Sequence, residues 1–256
     1  MSINSILGDE IGKNLLSNGD ALIEELEKEG ILIFKSFLNS KSILDLQNEA
    51  KELKPLAFSS SSEYNVYVSE YDKSFSDNSP RNRIMKTTKK CISYDLIPKD
   101  SLLKKIYNSQ KLKKLFSEIL NVENLFPYED SLSSININYY DKGDALGWHF
   151  DNSDFTITLL IKNCVEGGIY EFFNNMRYVN GKEDYSTVEK ILDKKIEGEK
   201  IISDDGDLMI FKGNKSIHQV TEVIKGERIL VTFNYNVTKG VSLSEQSRKT
   251  FFGRIT

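Results

Sequence analysis

Cysteine is nearly missing from this sequence: there are two, Cys91 and Cys164, 73 positions apart. Neither has a local partner, which excludes a disulfide framework and suits a reducing cytoplasm. Long apolar runs are missing too. The longest, such as ILIF and ITLLI, fall far short of the roughly 20 residues that cross a bilayer, so no membrane partner is expected. The start, MSINSILGDEIGKNLL, has no cationic segment ahead of an apolar run, so no signal peptide is expected. An excess of one charge is also lacking. With 34 basic and 38 acidic residues the net charge is −4, which gives no electrostatic case for a nucleic-acid polymer. The local cluster Lys104, Lys105, Lys111, Lys113 and Lys114 alternates with Leu and Ile at helical spacing and reads as a solvated helix face. The remainder is a globular composition, 39% hydrophobic, long enough to bury a sizeable core. None of this bears on oligomeric state.

Periodicity divides the chain in two. Residues 18–29 carry Leu22, Ile23 and Leu26 on a helical stripe that Gly30 ends, and ILIFKSF follows as a strand. NSKSILDLQNEAKEL opens with Asn and Ser caps and reads as a second helix. Residues 55–82 turn polar, with four serines in a row. They read as a long loop with one strand at Tyr64 to Val68, and a loop of this length is usually functional. KDSLLKKIYNS and SQKLKKLFSEIL return to helix. From Leu132 the period is two: SSININYY, TITLLI, GIYEFF, DLMIFK and RILVTFNYN are short β-rich runs split by Gly, Asn and Asp. A charged insertion at 174–200 is expected to hold a short helix near Thr187 to Leu192. The pattern predicts a single domain over residues 1–256. Residues 1–130 would be mostly helical support plus a substrate loop, and 131–256 an antiparallel sandwich or jelly roll.

The chain has only two histidines. His149 stands two residues before Asp151 in GWHFDNSDF, on a strand, where i and i+2 share a face. His218 follows the strand DLMIFK by the short turn GNKSI, where a neighbouring strand would begin. Two imidazoles and a carboxylate on a rigid β scaffold form a 2-His-1-carboxylate triad with open positions, which favours non-haem Fe(II). Hydrogen-bonded core histidines and a zinc hydrolase are the competing readings. Arg228, ten residues past His218, opens the last long strand and supplies a two-pronged donor for a carboxylate. A zinc hydrolase has no need of it, whereas a dicarboxylate co-substrate does.

HFD, then 66 residues, then HQVTEVIKGER resembles the Fe(II)/2-oxoglutarate-dependent dioxygenases. INYYDKGDALGWHFDNSDFTITLLIKNCVEGGIYEF, GDLMIFKGNKSIHQVTEV and the terminal SRKTFFGR resemble the branch of carrier-independent amino-acid halogenases and their hydroxylase relatives. The resemblance covers residues 95–256 well and the N-terminal part loosely. It implies an α+β double-stranded β-helix (jelly roll) with a helical N-terminal layer. It also implies that His149, Asp151 and His218 hold Fe(II) and carry the catalysis. Arg228 would pair with the distal carboxylate of 2-oxoglutarate, and dioxygen would be the oxidant. In the halogenases a glycine replaces the carboxylate ligand and chloride takes its place. Here the residue is Asp151, so hydroxylation is expected.

Asn138 and Tyr140 share a strand face close upstream of His149 and are candidates to touch the co-substrate, as are Thr158 and Thr232 on flanking strands. Ordinary sheet packing is the competing reading for all four. Trp148 points opposite to His149 and reads as core. EGG at 166–168 reads as a turn, and Lys90 with Cys91 has no ligand or base nearby. The substrate wall is expected from residues 55–90, the insertion at 174–200 and Asn152. Lysine-acting members of the branch are expected to carry an acid at that last position, so Asn152 argues against lysine. Arg81 and Arg83 are candidates to hold a carboxylate or phosphate. The expected substrate is a small polar metabolite, a free amino acid first and a nucleotide second. The rivals are a hydroxylase of peptidyl residues and a catalytically silent binding module.

Overall fold

The computed structural model describes residues 3–9, 11 and 19–256. Helix α1 (Gly19–Glu29) buries Leu26, and Gly30 at φ 70° turns the chain into strand β1 (Ile31–Phe34). Asn18, the expected first residue of that helix, lies outside the described residues. Helix α2 (Ser40–Leu53) starts as its caps predict, the Asn39 side chain accepting from the Ser42 N–H at 2.9 Å. Helices α3 (Leu102–Asn108) and α4 (Gln110–Ile119) follow. Their lysines do more than meet solvent, since Lys104 Nζ stands 4.2 Å from the centre of the Tyr94 ring.

Between the helix pairs the structure differs from the sequence reading. Strands β2 (Phe58–Asn65) and β3 (Ile84–Ile92) form an antiparallel hairpin, paired from Phe58↔Cys91 to Asn65↔Ile84. The expected loop at 55–82 therefore carries a full strand over Phe58–Asn65, so the expected strand at 64–68 begins earlier and ends at Asn65. Serines have low strand propensity of their own. Here they are held by a threonine- and lysine-rich partner, a non-local pairing that no local window reads.

The other strands of the two main sheets are β4 (Ile135–Tyr140), β5 (Leu146–His149), β6 (Thr156–Lys162), β7 (Tyr170–Phe173), β8 (Glu199–Ile201), β9 (Leu208–Phe211), β10 (Ile217–Val220) and β11 (Arg228–Phe233). They form two antiparallel sheets, the major in the order β1-β9-β6-β11-β4-β3-β2 and the minor β8-β7-β10-β5. This is an α+β double-stranded β-helix with helices on the outer face of the major sheet. Alternation assigns the faces. Ile137 and Tyr139 of β4, Leu159 of β6 and Val231 of β11 are buried against the helices. Asn138, Tyr140, Thr158 and Arg228 turn inward, toward the minor sheet. Tyr170, Phe172, Met209 and Phe211 fill the space between the sheets.

The insertion at 174–200 folds back on the site's outer wall. It holds helix α5 (Tyr185–Leu192), two residues longer at its start than expected, and Asp184 caps it by accepting from the Thr187 N–H. Its Val188 and Ile191 pack with Val66, Tyr67, Phe150 and Phe173. Trp148 joins this cluster, its ring 5.7 Å from that of Phe173, in keeping with a packing role. Cys91 and Cys164 are both free thiols. No helix among the described residues is long and apolar enough to cross a membrane.

Candidate metal and co-substrate site

His149 ends β5 and His218 lies in β10, and the ladder sets the two directly opposite each other. Their rings stand 4.2 Å apart, centre to centre. Each Nδ1 lies against a backbone carbonyl two residues upstream, Gly147 at 2.8 Å and Ser216 at 2.9 Å. A carbonyl only accepts, so each Nδ1 must carry the proton, and each Nε2 keeps its lone pair for a metal. Asp151 follows just past the strand. Its Oδ1 is 3.3 Å from Nε2 of His149 and 3.6 Å from Nε2 of His218.

The other carboxylate oxygen is anchored. Thr156 Oγ1 donates to Asp151 Oδ2 at 2.6 Å, and the Asp151 N–H donates to the Gly213 carbonyl at 3.0 Å. Gly213 has to be glycine: a Cβ there would fall 2.0 Å from Asp151 Oδ2. Electrostatics agree with a ligand role. Burial pushes the Asp151 carboxyl up, but the imidazoles, His218 foremost, outweigh it and hold it well below the usual carboxylate range. Burial, then the neighbouring His218, pulls His149 down, so its imidazole stays neutral. Among the described residues these three are the group of His, Cys, Asp and Glu side chains able to share a metal ion, their ligand atoms lying within 4.8 Å of one another. Two imidazole nitrogens and one carboxylate oxygen converging on a point fit Fe(II).

Arg228 opens β11 opposite Tyr140 and is only 4% exposed. Its guanidinium lies over the Tyr140 ring at 5.9 Å, and its Nη1 is buried with no hydrogen-bond partner. The Tyr170 hydroxyl is likewise buried and unpartnered, and its ring lies 5.6 Å from that of His218. A buried charge and a buried hydroxyl left without acceptors are costly. A carboxylate would satisfy both, so the residues present fit 2-oxoglutarate. Leu230 pairs with Asn138, and Thr232 with Thr158 and Asn136, on the same inward face. The Asn138 amide donates to the Leu230 carbonyl at 3.4 Å, leaving its Oδ1 free. A free acceptor suits an ammonium or hydroxyl better than a carboxylate.

The structure does not give Arg81 and Arg83 the expected freedom. Arg81 donates to Ser69 Oγ and to the Glu70 carbonyl, and Arg83 to the Asn78 carbonyl and to Asp193 at 2.7 Å. Both guanidiniums brace the tip of the β2–β3 hairpin, against itself and against the insertion. Asn152 is exposed on the loop after Asp151. Tyr170, Tyr64, Thr87 and Thr156 are site neighbours that the sequence reading missed. Alternation in GIYEFF would have pointed Tyr170 inward, and Thr156 opens the expected strand TITLLI. Tyr64 and Thr87 lie in or beside the stretch read as a loop, and Tyr64 stands edge-on to His149 at 6.0 Å.

The family model described as Halogenase D matches residues 17–251. The chain belongs to the halogenase D family. A comparison with curated proteins finds no significant match. Among solved structures, an oxidoreductase of the 2OG-Fe(II) oxygenase family from Burkholderia pseudomallei is similar at TM-score 0.56 and 11% identity, covering 89% of this chain and 94% of its own. A prolyl hydroxylase from Trichoplax adhaerens, in complex with a hypoxia inducible factor peptide fragment, gives 0.56 and 15% over 91% and 95%. HygX from Streptomyces hygroscopicus, with nickel, 2-oxoglutarate and hygromycin B bound, gives 0.59 and 10% over 88% and 90%. At these identities the likeness speaks for the fold. Family, fold and fitted site together make this halogenase D family member a non-haem Fe(II)/2-oxoglutarate-dependent oxygenase.

Proposed function

We propose that the chain, a single domain working in the cytoplasm, hydroxylates an unactivated C–H of a small free amino acid. One observation carries the choice of hydroxylation. Asp151 points a carboxylate oxygen at the Nε2 atoms of both histidines, with its second oxygen tied down by Thr156. A halide would need that position vacant. His149, Asp151 and His218 hold the metal, while Arg228 and Tyr170 orient the co-substrate by its far carboxylate. Fe(II) held there with 2-oxoglutarate would supply the electrons that activate dioxygen, the oxidant. Phe211 and Tyr170, packed on His218 at 5.0 and 5.6 Å, keep water from the inner side of the site.

Three unsatisfied groups support an amino acid as the substrate. Lys89 lies on the same strand face as Thr87 and has no carboxylate partner among the described residues. Its ammonium sits over the Phe251 ring at 5.8 Å. Phe251 belongs to helix α6 (Glu245–Phe252), which also carries Arg248, whose Nε is buried without a partner. Two cations with free donors suit a carboxylate, and the free Asn138 Oδ1 suits an ammonium. Amino acids should therefore support succinate formation, and the amines obtained by removing their carboxylate should not. Lys89→Met should raise the amino-acid KM about tenfold, the loss of one charge-assisted bond at a half-open position, and leave the 2-oxoglutarate KM unchanged. Equal turnover of amines, or turnover of peptides alone, would refute the substrate reading.

A further inference from the structure

We infer that Thr87 and Tyr64, on the β2–β3 hairpin, are positioning residues for the iron ligand His149. The inference rests on the triad reading above. Its basis is a continuous hydrogen-bonded path. The Tyr64 hydroxyl is bonded to Thr87 Oγ1, and Thr87 Oγ1 accepts from the Gly147 N–H at 3.0 Å. The Gly147 carbonyl accepts from His149 Nδ1 at 2.8 Å. The Tyr64 ring meets the same imidazole edge-on, 6.0 Å between centres at 70°. One tyrosine thus reaches His149 twice, by direct contact and through Thr87 and Gly147.

Gly147 explains why the path matters. Glycine has no side chain to restrict its torsions, so its conformation must be held from outside. No other residue fits, because a Cβ would lie 2.8 Å from the Lys86 carbonyl oxygen. The close approach of β5 to β3 is what lets Thr87 reach the Gly147 N–H. Pinning that N–H fixes the residue whose carbonyl sets the His149 tautomer and ring angle. Thr87 is 3% exposed, so water has little access to replace its hydroxyl. His218 is oriented differently: its partner is the Ser216 carbonyl, and Ser216 is held by its N–H on the Lys212 carbonyl at 3.2 Å and by its hydroxyl, which accepts from the Asn175 N–H at 3.1 Å, with no residue of the hairpin taking part. The hairpin therefore acts on one of the two histidines.

The test uses Co(II) alone as the probe, read by its dissociation constant and visible ligand-field bands without turnover. Thr87→Val should weaken Co(II) binding about 10- to 100-fold, the range for groups that orient a metal-bound histidine, and shift the bands. Thr87→Ser should restore both, and Tyr64→Phe should give a smaller change in the same direction. Ser60→Ala is the control. It removes another buried hydroxyl of the hairpin, one that donates to the Thr250 carbonyl at 3.0 Å, and should lower thermal stability with Co(II) affinity unchanged. Native affinity and bands in Thr87→Val would overturn the inference, as would an equal loss of affinity in Ser60→Ala. Should the valine variant fail to fold, unshifted bands in Tyr64→Phe would overturn it instead. His149→Ala separates the two layers of the argument: native Co(II) binding there would remove the triad reading itself, and the inference with it.

Discussion

Replacing His149 or His218 by alanine is expected to lower 2-oxoglutarate turnover by more than about 100-fold. Even the loss of a group that merely orients a metal-bound histidine costs 10- to 100-fold in metal affinity, so a lost ligand should exceed that. The two histidines face each other across one ladder position, and nothing else among the described residues offers a third ligand to this point. Either variant should stay folded, because neither imidazole is a member of the main apolar core. Succinate formation with saturating Fe(II), alongside a thermal melt, checks the prediction. Near-native turnover in either variant would remove the triad.

The second large effect concerns Arg228. Arg228→Lys should raise the KM for 2-oxoglutarate about 10- to 100-fold and leave that for the prime substrate nearly unchanged. Lysine keeps a charge but loses the planar fork. One hydrogen bond to a charged group amounts to about 1.5–3 kcal/mol, and each 1.4 kcal/mol is tenfold. Arg228 sits in a closed place, with Tyr140 beneath it and Gly168 so near that a Cβ would fall 3.2 Å from its Cδ. A shorter-reaching ammonium there cannot draw on solvent. Parallel titrations of the two substrates decide the matter, and KM values rising together would assign Arg228 to holding the strand.

These expectations use residues that were legible in the sequence, and the reason is physical. His149, Asp151, His218 and Arg228 sit at fixed offsets from strands whose alternation is strong, so their faces could be assigned before any pairing was known. The β-rich runs SSININYY, TITLLI, GIYEFF, DLMIFK and RILVTFNYN became β4, β6, β7, β9 and β11 for the same reason. The hairpin of β2 and β3 was not legible. Its first strand contains four consecutive serines, and what makes it a strand is the partner 25 to 33 residues away from Ser62 to Phe58. Tyr64 and Thr87 were lost with it. Arg81 and Arg83 show a related limit. Charge in a polar stretch says that a cation is present, but whether it is free depends on Asp193 and on carbonyls brought near only by folding.

The proposed iron ligand Asp151 occupies the decisive position in a member of the halogenase D family. The most direct test runs the unmutated enzyme on an amino acid that supports succinate formation, under isotopically labelled dioxygen, with chloride or bromide in excess, and weighs the product by mass spectrometry. The predicted product carries one hydroxyl with its oxygen from dioxygen and no halogen. A chlorinated or brominated product would show that the Asp151 position admits a halide, and would contradict the assignment of Asp151 and the hydroxylase together.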